Sequence, residues 1–565
     1  MTKSVGRTSR SVRMGLRPTN SDENRLEGGQ FCPQPAFSRL WPPDRRLRAG
    51  LPALHKVVFD CARVLQNPLL GQRPPWTPAA VLRSCPTRVW GIAFSLLLLV
   101  PCFWQPRIQA GDLSSHLYNA WLAQLIARGQ APGLTLARQS NNVLFDLMLS
   151  GLMRAFGAAA AQRIAVSAAV LVFFWGAFAY VWSNSSLRPR AAPWQLAPCL
   201  AMLAYGWVFH MGLFNFYISL GLCFGALALS GRGKRWAVPA AAALFAIAYV
   251  AHALPVAWAV GVLVYGRVAR AIAPRQRAWL MIGALAALAG TGFILGALFP
   301  TRRGVDQLVS MTGADQIWIY GRPYIAVGLA VLAVWALCFE RVWRARGAAR
   351  TMLDVRFQLC ALCAASLVLL PGGVLLPGFR SGLDYVAERM SLAGAVMFCA
   401  LAAAVRLPKP LVGAMAAIAL VFFGLSYADE RALNQVETEM EAAVAQLPPG
   451  QRVVSALAAP ESRIRSLDHV VDRICVGRCF SYANYEPATG QFRVRAAHAN
   501  AIIVSNYDES YHIQKGGYVV KARDLPLYNI DLCQPASSRI CVTPLRAGAT
   551  LRNTDLRVVP ILGGG

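Results

Sequence analysis

The chain has 565 residues, 56% of them hydrophobic and only 15% charged, and a mean hydropathy of +0.42. Apolar runs longer than a core helix requires place it among integral membrane proteins and exclude an ordinary soluble fold. A net charge of +29 would suit a nucleic-acid binder, but most Lys and Arg fall in the N-terminal segment and in short loops between apolar runs. No basic face with interleaved aromatics accompanies them, so no nucleic acid is expected as a partner.

Residues 1–88 are rich in Arg and Pro, poor in acids and without helical or strand period. They lack a signal-peptide apolar core with a small-residue cleavage site, and read as a disordered basic cytosolic extension, with Met14 one candidate among internal starts. Eleven apolar runs follow, at about 89–104, 164–182, 195–210, 213–230, 236–251, 254–267, 279–299, 324–340, 356–371, 389–405 and 410–427. With the N-terminus inside, the inner loops hold Arg188 and Arg190, then Lys234 and Arg235, Arg270 and Arg277, Arg346 and Arg350, and Arg406 and Lys409. This is the bias that orients membrane proteins. The alternation requires 143–157 to be a juxtamembrane helix on the outer surface. The expected architecture is an α-helical polytopic membrane domain over 89–428, with an outer-face loop at 105–160 and the C-terminus outside.

Residues 429–565 are soluble in composition. Glu430–Ala445 reads as a polar helix, 452–457, 501–505 and 518–520 as strands, and 466–475 as a short helix, together a small extracytoplasmic α/β domain. Ten of the fourteen cysteines lie in the N-terminal segment or the spans. The other four, Cys475, Cys479, Cys533 and Cys541, suggest two disulfides in an oxidising compartment, local pairs being the simplest of three connectivities. Their spacing lacks the paired knuckles of common zinc sites.

Asp112 opens the first outer loop, within Gly111-Asp-Leu-Ser-Ser-His-Leu-Tyr-Asn119. His116 is one turn on and Asn119 shares the same side, so an acid, an imidazole and an amide line one face of a surface helix. Such a set can activate a hydroxyl or bind a divalent cation (Mg or Mn) with Asp112 as metal ligand. The bland alternative is that Asp112 caps the helix from Leu113. Other outer loops supply Arg302, Arg303, Arg322, Asp384 and Arg389, where planar guanidinium forks suit a phosphate. His210, Asn215 and His252 stand near the outer ends of spans and are candidates to line a substrate groove, against ordinary interhelical hydrogen bonding. No Walker A, Rossmann, H-E-x-x-H or G-x-S-x-G signature is present.

Across residues 89–460 the layout resembles the GT-C superfamily of polytopic glycosyltransferases, which includes protein mannosyltransferases and the aminoarabinose transferase of lipid A. The shared features are a short first span, an acid soon after it, a surface helix ending in Phe156-Gly157, Arg163 near the start of the next span, and a Leu447-Pro-Pro-Gly450 turn leading to an outer domain. The resemblance implies a bundle of eleven to thirteen spans, a polyprenyl-phosphate sugar donor, and Asp112 as catalytic base or metal-site residue. The paired acid motif of many members is missing, because Leu113 follows Asp112; His116 or a spatially close Asp146 would have to substitute. The motif Cys479-Phe-Ser-Tyr-Ala-Asn-Tyr-Glu-Pro487 matches no pattern. The expected function is therefore a membrane glycosyltransferase acting at the outer face. Its site would combine Asp112 and His116 as catalytic residues with the arginines and Asn119 around the substrate. Expected partners are membrane lipid, the lipid-linked sugar and a glycan, lipid or protein acceptor. A bacterial inner membrane location is expected, with a cytoplasmic N-terminus and a periplasmic tail. The alternatives are a carrier or flippase for a lipid-linked or polar solute, and a non-catalytic envelope assembly protein.

Overall fold

A computed structural model describes residues 87–186, 194–378, 380, 382–497, 500–534, 539–556 and 558. The expected extension over 1–88 thus falls almost wholly outside the described residues, as do Arg188 and Arg190. From Thr87 onward the chain forms one compact unit. Among its described residues, five helices are long and apolar enough to cross a membrane: α3 (Leu144–Asn184), α8 (Ala253–Ala271), α9 (Gln276–Leu298), α11 (Pro323–Arg346) and α15 (Lys409–Val444). Shorter apolar helices pack with them, including α1 (Thr87–Leu99), α6 (Phe214–Ser230), α7 (Ala237–Ala251), α13 (Val355–Leu369) and α14 (Val386–Ala402). Among the residues of α9 only Gly292 is buried, while Trp279, Phe293 and Leu298 project outward. An apolar helix bare on nearly every side is stable only where its surroundings are apolar too, which is the condition inside a bilayer.

Chain geometry departs from the expected spans where local residues force it. Gly157 (φ 78°) kinks α3, separating Leu144–Phe156, which would lie along a surface, from the run that crosses the bundle. The apolar run at 195–210 is not one helix. It divides into α4 (Ala197–Ala204) and the single turn α5 (Trp207–His210), with Gly206 packed under the Gln316 carbonyl. The break frees backbone groups that cannot be left bare in an apolar interior. Gln316 answers this by accepting the Val208 N–H through its side-chain oxygen at 3.2 Å. At the crossing of α3 and α6, a Cβ on Gly176 would lie 2.0 Å from the Gly221 carbonyl oxygen, so only glycine permits that approach.

The last span and the polar helix after it are one continuous helix, α15. Two acids on its second half, Glu430 and Glu437, are buried, while Glu439 and Glu441 face outward. Glu430 accepts from Trp104 Nε1 at 2.8 Å, and Glu437 accepts from Gln109 Nε2 at 2.8 Å and Arg473 Nε at 2.7 Å. Arg473 also donates to the Ile108 carbonyl at 2.8 Å, tying the tail, the first loop and α15 together.

The tail contains a four-stranded sheet in the order β6 (Phe480–Ser481), β4 (Arg452–Ser455), β8 (Leu527–Leu532) and β9 (Ile540–Pro544), parallel except for the last pair. Of the expected strands, 452–457 is present in two pieces, β4 and β5 (Leu457–Ala458). Residues 501–505 are irregular because the Asn500 side chain takes the Ile502 and Ile503 N–H groups, at 3.0 and 2.8 Å, that a ladder would need. Residues 518–520 reduce to an isolated bridge, and 466–475 to the short α16 (Val470–Ile474). Cys475 is bonded to Cys479, and Cys533 to Cys541. The tail also pairs β7 (Val494–Ala496) antiparallel with β1 (Leu134–Leu136) of the first loop, so loop and tail share backbone hydrogen bonds.

Candidate functional site

The site is built where α2 (Leu113–Ala127) lies between α3 and the tail. α2 does not rest open on a surface; Leu113 through Ala120 are all buried. Its first residue is fixed by backbone. Gly111 N–H donates to the His210 carbonyl at 2.8 Å and Asp112 N–H to the Met211 carbonyl at 3.0 Å. Gly212 completes this cradle at φ 81°, where a Cβ would sit 2.5 Å from Asp112 N.

Asp112 stands at the N-cap position of α2, yet its side chain makes no capping hydrogen bond. Instead Oδ1 faces His469 Nε2 at 3.5 Å, and the carboxylate is a quarter exposed. One turn on, His116 Nδ1 meets Asp146 Oδ1 at 2.7 Å. Asp146 is held in turn, because Asn215 Nδ2 donates to its Oδ2 at 3.0 Å while Asn215 Oδ1 accepts the Phe145 N–H at 2.8 Å. Asn119 Oδ1 accepts from Asn484 Nδ2 at 3.1 Å. The three residues on one face of α2 therefore each meet a partner from elsewhere in the chain.

The tail motif 479–487 supplies the other wall. Ser481 N–H donates to the Tyr118 hydroxyl at 2.9 Å, and Glu486 Oε1 lies 3.4 Å from Ser115 Oγ and 4.0 Å from His116 Nδ1. The Tyr485 ring packs on His469 with centroids 5.1 Å apart. A recess of about 10 Å³, room for roughly one water, lies among Asn119, Asp146, Glu486 and Arg493.

Buried charge sets the protonation of this cluster. Burial alone would lower the His116 pKa, but the Asp146 carboxylate, with Glu486 and Asp112 behind it, raises it to about 9. Burial likewise opposes a charged His469, and its contact with Asp472, reinforced by Asp112 and Asp468, prevails and lifts it to about 9. Burial pushes Glu486 up to about 8; His116 pulls it down, and Asp146 and Asp112 push it further up. At neutral pH the site therefore holds two imidazolium groups and a protonated Glu486.

The arginines divide. Arg389 lies within electrostatic reach of Asp112, Asp384 and Tyr485, makes no ion pair among the described residues, and has a buried Nε without a hydrogen-bond partner. Arg302 is carried toward the same region by β2 (Thr301–Arg302), paired with β3 (Gly373–Val374). Its Nε is 4.0 Å from Asp384 and its guanidinium lies over the Tyr385 ring. Arg303 instead donates to the carbonyls of Val368, Leu369 and Gly292, joining helix ends. Arg322 is exposed at the start of α11.

The histidines expected to line a groove serve the fold. His210 is fully buried, 3.3 Å from Glu430, and only its carbonyl reaches the site. His252 caps α8 by accepting the Leu254 N–H at 3.2 Å. Asn215 holds Asp146 and the start of α3 rather than facing a groove.

Around Asp112, His469 Nε2 faces its carboxylate, His116 Nδ1 is turned to Asp146, and the Asn119 oxygen accepts from Asn484. Among the described residues, no three His, Cys, Asp or Glu side chains are grouped to hold a metal ion.

His469, Tyr485 and Glu486 were not singled out in the sequence. The signal available was the scarcity of histidine: the chain has 7, and His469 is one of them. The chain matches no protein-family model, no curated protein and no solved structure.

Proposed function

We propose that the protein is a membrane glycosyltransferase that moves a sugar from a polyprenyl-phosphate donor to an envelope hydroxyl, with inversion. The carrying observation is a fixed carboxylate, Asp112, within electrostatic reach of Arg389, whose guanidinium makes no ion pair among the described residues, at one end of an apolar helix bundle. In this reading the acceptor oxygen attacks the anomeric carbon from the face opposite the phosphate, and Asp112 takes its proton. The carbon–oxygen bond to phosphate breaks with its electron pair, and Arg389 and Arg302 receive the charge that develops on the leaving phosphate. His469 holds the Asp112 carboxylate in place, and the protonated Glu486 and His116 are hydrogen-bond donors for a sugar.

The same reading takes the apolar runs as eleven spans, with the N-terminus in the cytoplasm of a bacterial inner membrane. The tail then stands in the periplasm as a GT-C-like outer domain, where its disulfides would persist. The polyprenyl chain would lie between spans.

The test is transfer of label from polyprenyl-phosphate sugars in proteoliposomes, with wild type, Asp112→Asn and Arg389→Gln, each with and without a chelator. Transfer by wild type that falls at least a hundredfold in Asp112→Asn supports the reading, and the chelator arm reports whether a cation on Asp112 takes part. No transfer from any donor by folded wild type, or equal turnover by Asp112→Asn, sinks it and returns weight to a carrier or an assembly protein.

A further inference from the structure

At the end of the bundle opposite Asp112, the last turns of α3, α8 and α11 and the first turns of α9 and α13 enclose a basin of about 730 Å³. Asp146 sits in the first turn of α3 and Asn184, in the basin wall, is its last residue. The run beyond the Gly157 kink is about 40 Å long at 1.5 Å per residue, more than the roughly 30 Å of a hydrocarbon core. The basin and the Asp112 site therefore lie at opposite membrane faces.

Five guanidinium groups line the basin, from Arg270, Arg277, Arg346, Arg350 and Arg356, against one carboxylate, Asp354. Asp354 is shared by Arg356, at 2.7 Å, and Arg346. Arg277 donates to the carbonyls of Ala269 and Leu353 at 2.7 and 3.3 Å. Arg270 and Arg350 are exposed and, among the described residues, make no hydrogen bond or ion pair. Orientation of the chain explains why arginines gather at these helix ends. It does not require them to converge on a concavity, nor to leave two guanidinium forks turned into it without a carboxylate.

We propose that this basin binds a phosphate-bearing anion, the headgroup of an anionic phospholipid or a soluble phosphate ester. Arg270 and Arg350 supply the free forks, and Arg346, Arg356 and Arg277 form a rigid rear wall fixed by their own contacts. Guanidinium forks match phosphate oxygens in pairs, and basic recesses between helix ends at the headgroup level suit anionic lipids. The volume lies in the range of pockets for ligands much larger than bare phosphate, so the anion carries a further group. The proposal is independent of the transferase reading.

The experiment compares full-length wild type with the Arg270→Gln/Arg350→Gln double variant. Both side chains are exposed and unpartnered, so the variant is expected to melt with the wild type in neutral detergent. In one arm the protein is held in phosphatidylcholine nanodiscs doped with phosphatidylglycerol, and retained lipid is counted by native mass spectrometry. In the other, pyrophosphate is titrated in neutral detergent against Tm. Selective retention of phosphatidylglycerol by wild type, about tenfold weaker in the variant and weakened by salt, supports the proposal with a lipid source. A Tm rise with pyrophosphate in wild type but not in the variant, without lipid selectivity, supports it with a soluble source. If neither probe separates wild type from variant, the basin is not an anion site and the proposal falls.

Discussion

At the scale of single residues, Asp146 and Asn215 organise the candidate site without reaching the Asp112 carboxylate. Asn215 satisfies the buried Phe145 N–H and fixes the oxygen of Asp146 opposite His116. Asn215→Ala leaves that N–H and one carboxylate oxygen without their partner. At about 1–3 kcal/mol for each unsatisfied group, an overall loss of about 3 kcal/mol is expected, read as a lower Tm in detergent. Because His116 then loses its oriented counter-ion, the transferase reading expects transfer to fall about tenfold even at temperatures where the variant is folded. A variant with normal Tm and normal turnover would show that this chain of contacts organises nothing. Gly212→Ala is expected to act differently. The added Cβ meets Asp112 N and needs a left-handed backbone that alanine resists, so turnover falls with the displacement of Asp112.

At the scale of elements, helix crossings are set by glycines whose reason is invisible in any local pattern. Gly176 and Gly151 both lie in α3, but a Cβ on the first strikes the Gly221 carbonyl and on the second meets nothing within 4 Å. Gly176→Ala is expected to destabilise by about 1–3 kcal/mol through forced separation of α3 and α6. Gly151→Ala is expected to be neutral or to stabilise by up to about 1 kcal/mol from helix propensity. Paired thermal melts check both. An equal effect of the two substitutions would mean that the α3–α6 approach is looser than described.

For the whole molecule, the tail and the first loop act as one body because buried charges join them. His116 and His469 hold their protons to about pH 9, against 6.5 for an ordinary imidazole, and Glu486 holds its proton to about 8, against 4.5. The folded state therefore binds more protons than the unfolded state between about pH 4.5 and 9. The two histidines contribute stability that is fully present below 6.5 and lost as pH rises through 9. Glu486 adds a penalty that grows from 4.5 to 8. All three signs agree, so stability falls with rising pH. Tm measured in nanodiscs is expected to drop steadily from pH 6 to 9.5, and His469→Gln should flatten the upper part of that slope. A Tm that is flat or rises over this range would contradict the assigned protonation states.

Composition and hydropathy by themselves determined that the chain belongs in a membrane, because apolar length and loop charge are additive along the sequence and need no partner. A break between 143–157 and the span after it was expected from the alternation of loop charge, and the helix does kink at Gly157. The position of Asp112 early in the first loop was visible as a place, but its environment was not. His469 lies more than 350 positions away in the sequence, and only the docking of the tail puts its imidazole opposite Asp112. The 479–487 motif had no legible role for the same reason: the Glu486 pKa is raised first by burial in the docked tail, then by Asp146 and Asp112. Tertiary structure also separated arginines that look alike in sequence. Arg303 is bound to helix carbonyls, whereas Arg389, within electrostatic reach of the acid, makes no ion pair among the described residues. A side chain's residue type fixes what it can donate, and only the fold decides whether a partner has already taken it.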